Sequence, residues 1–375
     1  AGAGYGDFGI HPDLPYLKTL YDQGDLAFVS NVGSLIEPTS LVEYNDGSKP
    51  LPEGLFSHPD HQIHWQTLVP QVRGTAPKGW GGRMAEVMSH ANQQSNISMN
   101  ISLSGANVLQ SGTTTVPYIT DPGGVIGLNK YGQNTSLGQD PILSLAVDDI
   151  LGHHYQSIYS KTLAQANRNS IDASVAFKTA LDSLSTPFDP SAISSETQTY
   201  QRLSMVSKIM EARTALSMNR QVFFVERGGW DHHNELLDPQ SGLFIELNEA
   251  IEIFWTAIQS MGLENNVVLY TASDFGRTLT SNGSGSDHAW GGNHFIISGS
   301  ANGGEIYGKY PDLALDNSST DLGRGRILPT TSVDAYMAEL ANWYGVPQSE
   351  ISTVIPNINN FSFSNPNSPL GILNS

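Results

Sequence analysis

The apolar run QVFFVER (221–227), the amphipathic stretch GLFIELNEAIEIFWTAIQSMGL (242–263) and a second apolar run NNVVLYTAS (265–273) follow one another along the chain. Strand-like runs on either side of a helical period predict a β-α-β unit, which implies parallel pairing with a right-handed crossover. A further run, HFIISGS (294–300), reads as another strand, and TSVDAYMAELANWYGV (331–346) as a helix. Near the start, residues 14–23 read as a short amphipathic helix that passes through Gly24 and Asp25 into LAFVSNVG (Leu26–Gly33), the pattern of a buried strand. Alternation of this kind suggests a sheet layered between helices.

The remaining segments are assigned from punctuation and period. Proline and glycine between 37 and 56 predict an extended loop, and SHPDHQIHWQTL predicts a helix with Ser57 at its N-cap and Pro59 in its first turn. Residues 79–94 carry an apolar face at helical spacing, and the tract that follows, to about 134, alternates like strands and turns. Residues 142–218 are mostly helical in pattern, with a break at 185–192. The expectation is one α/β domain over 1–375, within which about 95–218 forms an insertion or cap.

Charge narrows the function classes. Thirty-six acidic against 18 basic side chains give a formal net charge of -18, which argues against a field that attracts nucleic acid or an anionic membrane surface. With no cysteine, disulfides, thiolate metal sites and cysteine nucleophiles are excluded, while either redox compartment remains open. No window reaches the roughly 18 to 20 apolar residues of a membrane span, and no signal segment opens the chain. The opening AGAGYGDFGIHPDLP reads as a mature, processed or truncated product.

In parallel α/β sheets ligands collect beyond the carboxyl ends of strands, where loops converge. Three polar motifs fall at such ends: GGWDHHNE (228–235), SDFGRT (273–278) and SDHAWGGNH (286–294). Asp231 and His233 can turn to one side of an extended segment, with His232 facing away. Asp274 and His288 could add a second carboxylate and a second imidazole, a mixed shell suited to zinc, manganese or iron. Against this stands the ordinary use of such side chains as helix caps and loop ties. His58, His61 and His64 recur at a spacing of three, as a metal surface or a polar stripe. Ser57 at a helix N-terminus is a candidate nucleophile or a plain N-cap. Arg277 and Arg227 could grip an anionic oxygen, or only neutralise acidic neighbours.

Taken together, FGIHPDLPYLKTLYDQGDLAFVSNVG, FSHPDHQIHWQT, GWGGRMAEVM, RGGWDHH, SDFGRT, DHAWGGNHFIISG and TTSVDAYMAELANWYGV resemble the bacterial family known as domain of unknown function 1501. That family is similar to the alkaline phosphatase and sulfatase superfamily, which implies a three-layer α/β/α sandwich with a mostly parallel central sheet and a divalent metal site. The resemblance implies metal ligands at Asp231, His233, Asp274 and His288, with His294 as an alternative, and a nucleophile near Ser57 and His58. Phe275 stands where the superfamily usually has histidine, which argues against a complete two-metal centre. Family members typically begin with an exported, glycine-terminated strand that has no counterpart in this chain. The resemblance thus implies that the first family strand is missing, its place taken by a homo-oligomer contact or by association with a missing N-terminal segment.

The function expected is a secreted or periplasmic hydrolase of phosphate or sulfate esters, acting on a small-molecule or polymer substrate. Its cofactor is a divalent metal ion (zinc, manganese, calcium or magnesium), with Ser57, His58 and Arg277 in catalysis. Formylglycine chemistry is excluded by the lack of cysteine. The competing expectation is a non-catalytic extracellular binding or structural protein that keeps the fold; a carbohydrate-active enzyme with paired carboxylates is a third.

Overall fold

The computed structural model describes residues 8–73, 78–92, 97–124, 127–128, 131–132, 140–184, 197–315 and 318–374. The break expected at 185–192 lies outside the described residues. The first helix, α1 (Pro15–Gln23), starts on a proline and stops at Gly24, whose φ of 88° places it in the left-handed region that glycine tolerates. Leu17 and Leu20 anchor it, and the chain turns directly into β1 (Leu26–Gly33), buried along nearly its whole length.

β1 is the spine of a five-stranded sheet. The strand β6 (Gly292–Ile297) runs antiparallel to it, with Leu26 opposite Ile297 and Val29 opposite His294. On the far side of β6 lies β5 (Leu269–Tyr270), also antiparallel to β6, while β7 (Ile306–Tyr307) and β8 (Thr331–Ser332) pair with β1 in parallel. The sheet is therefore mixed, which corrects the expectation of a mostly parallel one. The cause is the link between β5 and β6. Residues 271–291 fold back as a ribbon, with Gly276 N–H bonded to the Trp290 carbonyl and Thr278 N–H to the Asp287 carbonyl. A chain that returns directly, with no helix between, delivers its strand antiparallel.

The β-α-β expectation also needs correction. The long helix α8 (Leu237–Ser260) is present, and it does link β4 (Val222–Phe224) to β5. But β4 belongs to a separate parallel sheet in the order β3 (Tyr118–Ile119), β2 (Asn100–Ser102), β4, so the two strands that α8 joins are not hydrogen-bonded neighbours. Gln110, fully buried, reinforces this smaller sheet by donating its amide to the Ile101 and Val222 carbonyls. The span expected as an insertion or cap supplies β2 and β3 together with α5 (Asp140–Gly152), α6 (Ile158–Asp182) and α7 (Gln198–Glu211).

The segment predicted as loop between 37 and 56 contains α2 (Leu41–Asp46), closed by a reciprocal capping box in which Ser40 and Glu43 each satisfy the other's backbone N–H. The S-x-x-E signature of that box was present in the sequence. The helices α3 (His58–Thr67), α4 (Trp80–Val87), α9 (Val333–Tyr344) and α10 (Ile351–Val354) complete the described set. One continuous buried cluster, with Trp255, Tyr336, Ile101 and Ile297 in its interior, takes residues from both sheets and from α1, α4 and α7 to α10.

Candidate metal centre

Three segments meet at one point: the start of α3, the turn after β4, and the ribbon between β5 and β6. The turn after β4 is not extended. His232 N–H bonds to the Trp230 carbonyl and His233 N–H to the Asp231 carbonyl, and these two tight turns bring the side chains of Asp231 and His233 together. Within the ribbon, Arg277 and His288 face each other across an isolated antiparallel bridge. Gly285 lets the ribbon tip lie against the turn: a Cβ there would sit 2.5 Å from the His232 carbonyl oxygen. Ser286 N–H and the Asn282 amide then bond to the carbonyls of His232 and His233.

The result is a knot of ligand-capable atoms. His58 Nε2 lies 3.2 Å from Asp231 Oδ2, His233 Nε2 lies 3.0 Å from Asp231 Oδ1, and His288 Nε2 lies 3.3 Å from the same oxygen. The Nε2 atoms of His233 and His288 are 2.9 Å apart. In a tetrahedral shell with N and O about 2.0–2.1 Å from a zinc-sized ion, neighbouring ligand atoms stand about 3.3 Å apart. These contacts are close to the edge length of such a shell, with His233 meeting Asp231 and His288. His58, Asp231 and His288 form a group whose ligand atoms all lie within 4.8 Å of one another.

Hydrogen-bond chemistry sets the tautomers. A carbonyl can only accept, so His288 Nδ1, 2.7 Å from the Phe56 carbonyl, carries the proton, and its Nε2 offers a lone pair when the ring is neutral. His58 donates Nδ1–H to Asp274 at 2.6 Å, again directing Nε2 to the knot. His233 turns Nδ1 toward Asp287 at 3.4 Å. Outer partners of this kind orient metal-binding imidazoles and raise their basicity. Lone pairs aimed at one another and at a carboxylate repel unless a cation or shared protons lie between them.

The charges around the knot are held in place. Burial by itself would raise the Asp231 carboxyl, but the Arg277 guanidinium, then His233 and His58, override it and hold it below the usual carboxylate range. Asp287 is pushed down to about 2 by the Asn282 amide and the Arg324 guanidinium. Phe275 walls one side, its ring centroid 4.6 Å from that of His58 and 4.5 Å from that of His288. Phe56 takes a φ of 69°, rare for a residue with a Cβ, and so presents its carbonyl to His288 and its N–H to His61.

Of the residues singled out in the sequence, Asp231, His233 and His288 converge, and His58 joins them. Asp274 stands one layer back, behind His58. His294 lies apart in the core, 5% exposed, between Thr271, Trp65 and Tyr336, where burial drives it down to about 4. His61 and His64 are buried as well, neither metal surface nor exposed stripe: His61 accepts from Phe56 N–H and donates to the Asp274 carbonyl, and burial lowers both rings to about 4. Ser57 occupies the N-cap of α3 without a capping bond, and its hydroxyl pairs with Asp60. Arg277 is engaged by Asp231 and by the Ser286 hydroxyl and carbonyl. Arg227 lies elsewhere, forked onto Glu246 of α8. Sequence reasoning missed Asp287 and the Phe56 carbonyl; the only signal for the first was its place directly before His288, and for the second there was none.

A family model described as "Protein of unknown function (DUF1501)" matches residues 5–346. The chain belongs to the DUF1501 family. Every side chain of the knot lies inside the DUF1501 match, as do β1 and β4 to β8. No curated protein and no solved structure matches the chain.

Proposed function

We propose that this DUF1501 protein is a metal-dependent hydrolase of phosphate or sulfate esters, built on an α/β/α sandwich like that of the alkaline phosphatase and sulfatase superfamily. One observation carries the reading: His58, Asp231 and His288, from three distant segments, offer ligand atoms that all lie within 4.8 Å of one another, and His233 Nε2 stands beside two of them, 3.0 Å from Asp231 and 2.9 Å from His288. On this reading His58, Asp231, His233 and His288 hold one divalent ion. Asp274, Asp287 and the Phe56 carbonyl fix the three imidazoles, and Arg277 offsets the charge on Asp231. Such an ion, when bound, polarises an ester oxygen and lowers the pKa of the attacking group.

The wall formed by Phe275 excludes water from one side of the knot and fits a single-ion centre better than a paired one. Ser57 is the candidate nucleophile of the chain: it precedes His58 at the start of α3, and its hydroxyl pairs with Asp60, which Arg73 holds ionised. Water is the alternative attacker. On the family resemblance, the protein works in the periplasm or outside the cell.

The second reading is a binding or structural protein that keeps an ion without turnover. Arg277 favours it, because a guanidinium committed to Asp231 and Ser286 is not free to steady a leaving oxyanion. Elemental analysis of the purified protein, followed by assays with nitrophenyl phosphate and nitrophenyl sulfate, separates the readings. The hydrolase reading expects about one divalent ion per chain, turnover, and loss of both on Asp231→Ala. Bound ion without turnover supports the second reading, and protein that binds no divalent ion removes both.

A further inference from the structure

Far from the family motifs, α5 departs from the way every longer helix of this fold is used. Seven of its thirteen residues are Ile, Leu, Val or Ala, yet none of the side chains described in it is buried. Ile142, Leu143, Leu145 and Ile150 are each more than half exposed. The start of α6, which packs against α5, adds Ile158 at 73%, Tyr159 at 86% and Leu163 at 64%. At roughly 100 Å² for each such side chain, the hairpin presents roughly 700 Å² of apolar surface. Monomeric proteins rarely expose more than a few hundred Å² in one place, whereas each partner of a standard interface buries about 800 Å².

We propose that the α5–α6 hairpin is the contact surface for a second copy of this chain. Charge selects that occupant. Over its two helices, 140–182, five aspartates meet two lysines and one arginine, and most of these pair within the hairpin. Asp148 and Arg168 satisfy each other within the hairpin, but Asp149 on α5 and Lys161 on α6 are exposed and have no ion pair among the described residues. A twofold pairing that lays α5 of one copy along α6 of the other joins Asp149 to Lys161 twice, as an isologous interface requires. The same helices line an open pocket of about 480 Å³, with Leu151 and Ala164 in its lining and His153, His154 and Lys161 among its polar groups. Its mixed lining offers the protruding Tyr159 ring of another copy both apolar contact and hydrogen-bonding partners. An anionic lipid surface is a poor match, since it calls for a surplus of lysine and arginine that the hairpin lacks.

Sedimentation of the full chain between about 1 and 100 µM tests this. The wild type is expected to dimerise, and L145D/I158D to sediment as a monomer with an unchanged circular dichroism spectrum. D149K alone and K161D alone should each weaken the dimer by about tenfold, and D149K/K161D should restore it. This charge cycle decides the question even where the apolar variant fails to fold. A wild type that stays monomeric at about 100 µM overturns the proposal, as does a dimer indifferent to all four variants. A monomer that instead floats with phosphatidylcholine vesicles overturns it too, and assigns the face to lipid.

Discussion

Asp274 shows how much a single residue can do without touching the centre itself. Its carboxylate fixes the His58 ring and accepts from the Gln62 amide, and its carbonyl accepts from His61. Asp274→Asn keeps the shape but removes the charge that aims His58 Nε2, so on the proposed metal-binding reading affinity for a divalent ion is expected to fall about 10- to 100-fold. Competition with a chelator measures this, and unchanged affinity would deny Asp274 its orienting role. Two histidines outside the knot carry a different prediction. His64 and His294 are buried and titrate near 4 in the fold, against 6.5 for the free side chain. Between these values the unfolded chain binds protons that the folded chain refuses. Stability is therefore complete above pH 6.5 and falls as the pH drops toward about 4, by up to about 3 kcal/mol for each ring. Urea unfolding followed across that window should flatten in His64→Gln; an equal slope in wild type and variant would rule this account out.

At the scale of elements, the ribbon between β5 and β6 matters more than any helix. It brings Asp274, Arg277, Asp287 and His288 to one place, and its tip rests on the 231–233 turn only because Gly285 has no side chain. Gly285→Ala forces that contact apart. The expected result is a loss of about 1–3 kcal/mol in stability together with weaker metal binding, read by thermal melts with and without added zinc. Helix α9 supplies a second case. Glu339, 2% exposed, receives N–H groups from Leu370, Gly371 and Leu373 and the Ser368 hydroxyl, and so pins the C-terminal segment to the core. Glu339→Ala leaves those N–H groups unpaired and should cost about 3 kcal/mol, with the tail becoming the first site of proteolysis. Glu339→Gln, which keeps an acceptor, should cost less.

For the molecule as a whole, a net charge of -18 means that folding brings like charges together. Raising NaCl from about 0.02 M to about 0.2 M should raise the melting temperature by a few degrees, because screening weakens this repulsion. A melting temperature that falls with salt would show that attractive ion pairs, such as Arg227 with Glu246, outweigh it.

Helices were readable from the chain where an apolar stripe ran at helical period, as in α8, and more so where a terminal signal joined it, Gly24 after α1 and Ser332 and Gly345 around α9, since those signals act within a few residues of one another. β1 was readable too, being buried on both faces and apolar over most of its length, with Ser30 and Asn31 as buried polar exceptions. The same locality left strand direction and partners undetermined: an apolar run states that it is buried, not which neighbour covers it, so β4 and β5 were paired in expectation and lie in different sheets. Asp231, His233 and His288 could be named from their chemistry and their position after apolar runs. Their meeting with His58, and the separation of His294, rest on contacts between residues more than 150 positions apart in the chain, such as the 2.6 Å bond from His58 to Asp274. The local sequence settles backbone propensity and burial, because those energies are short-ranged along the chain. Only the packed tertiary structure decides which polar groups share a point in space, because that depends on how every intervening element is placed.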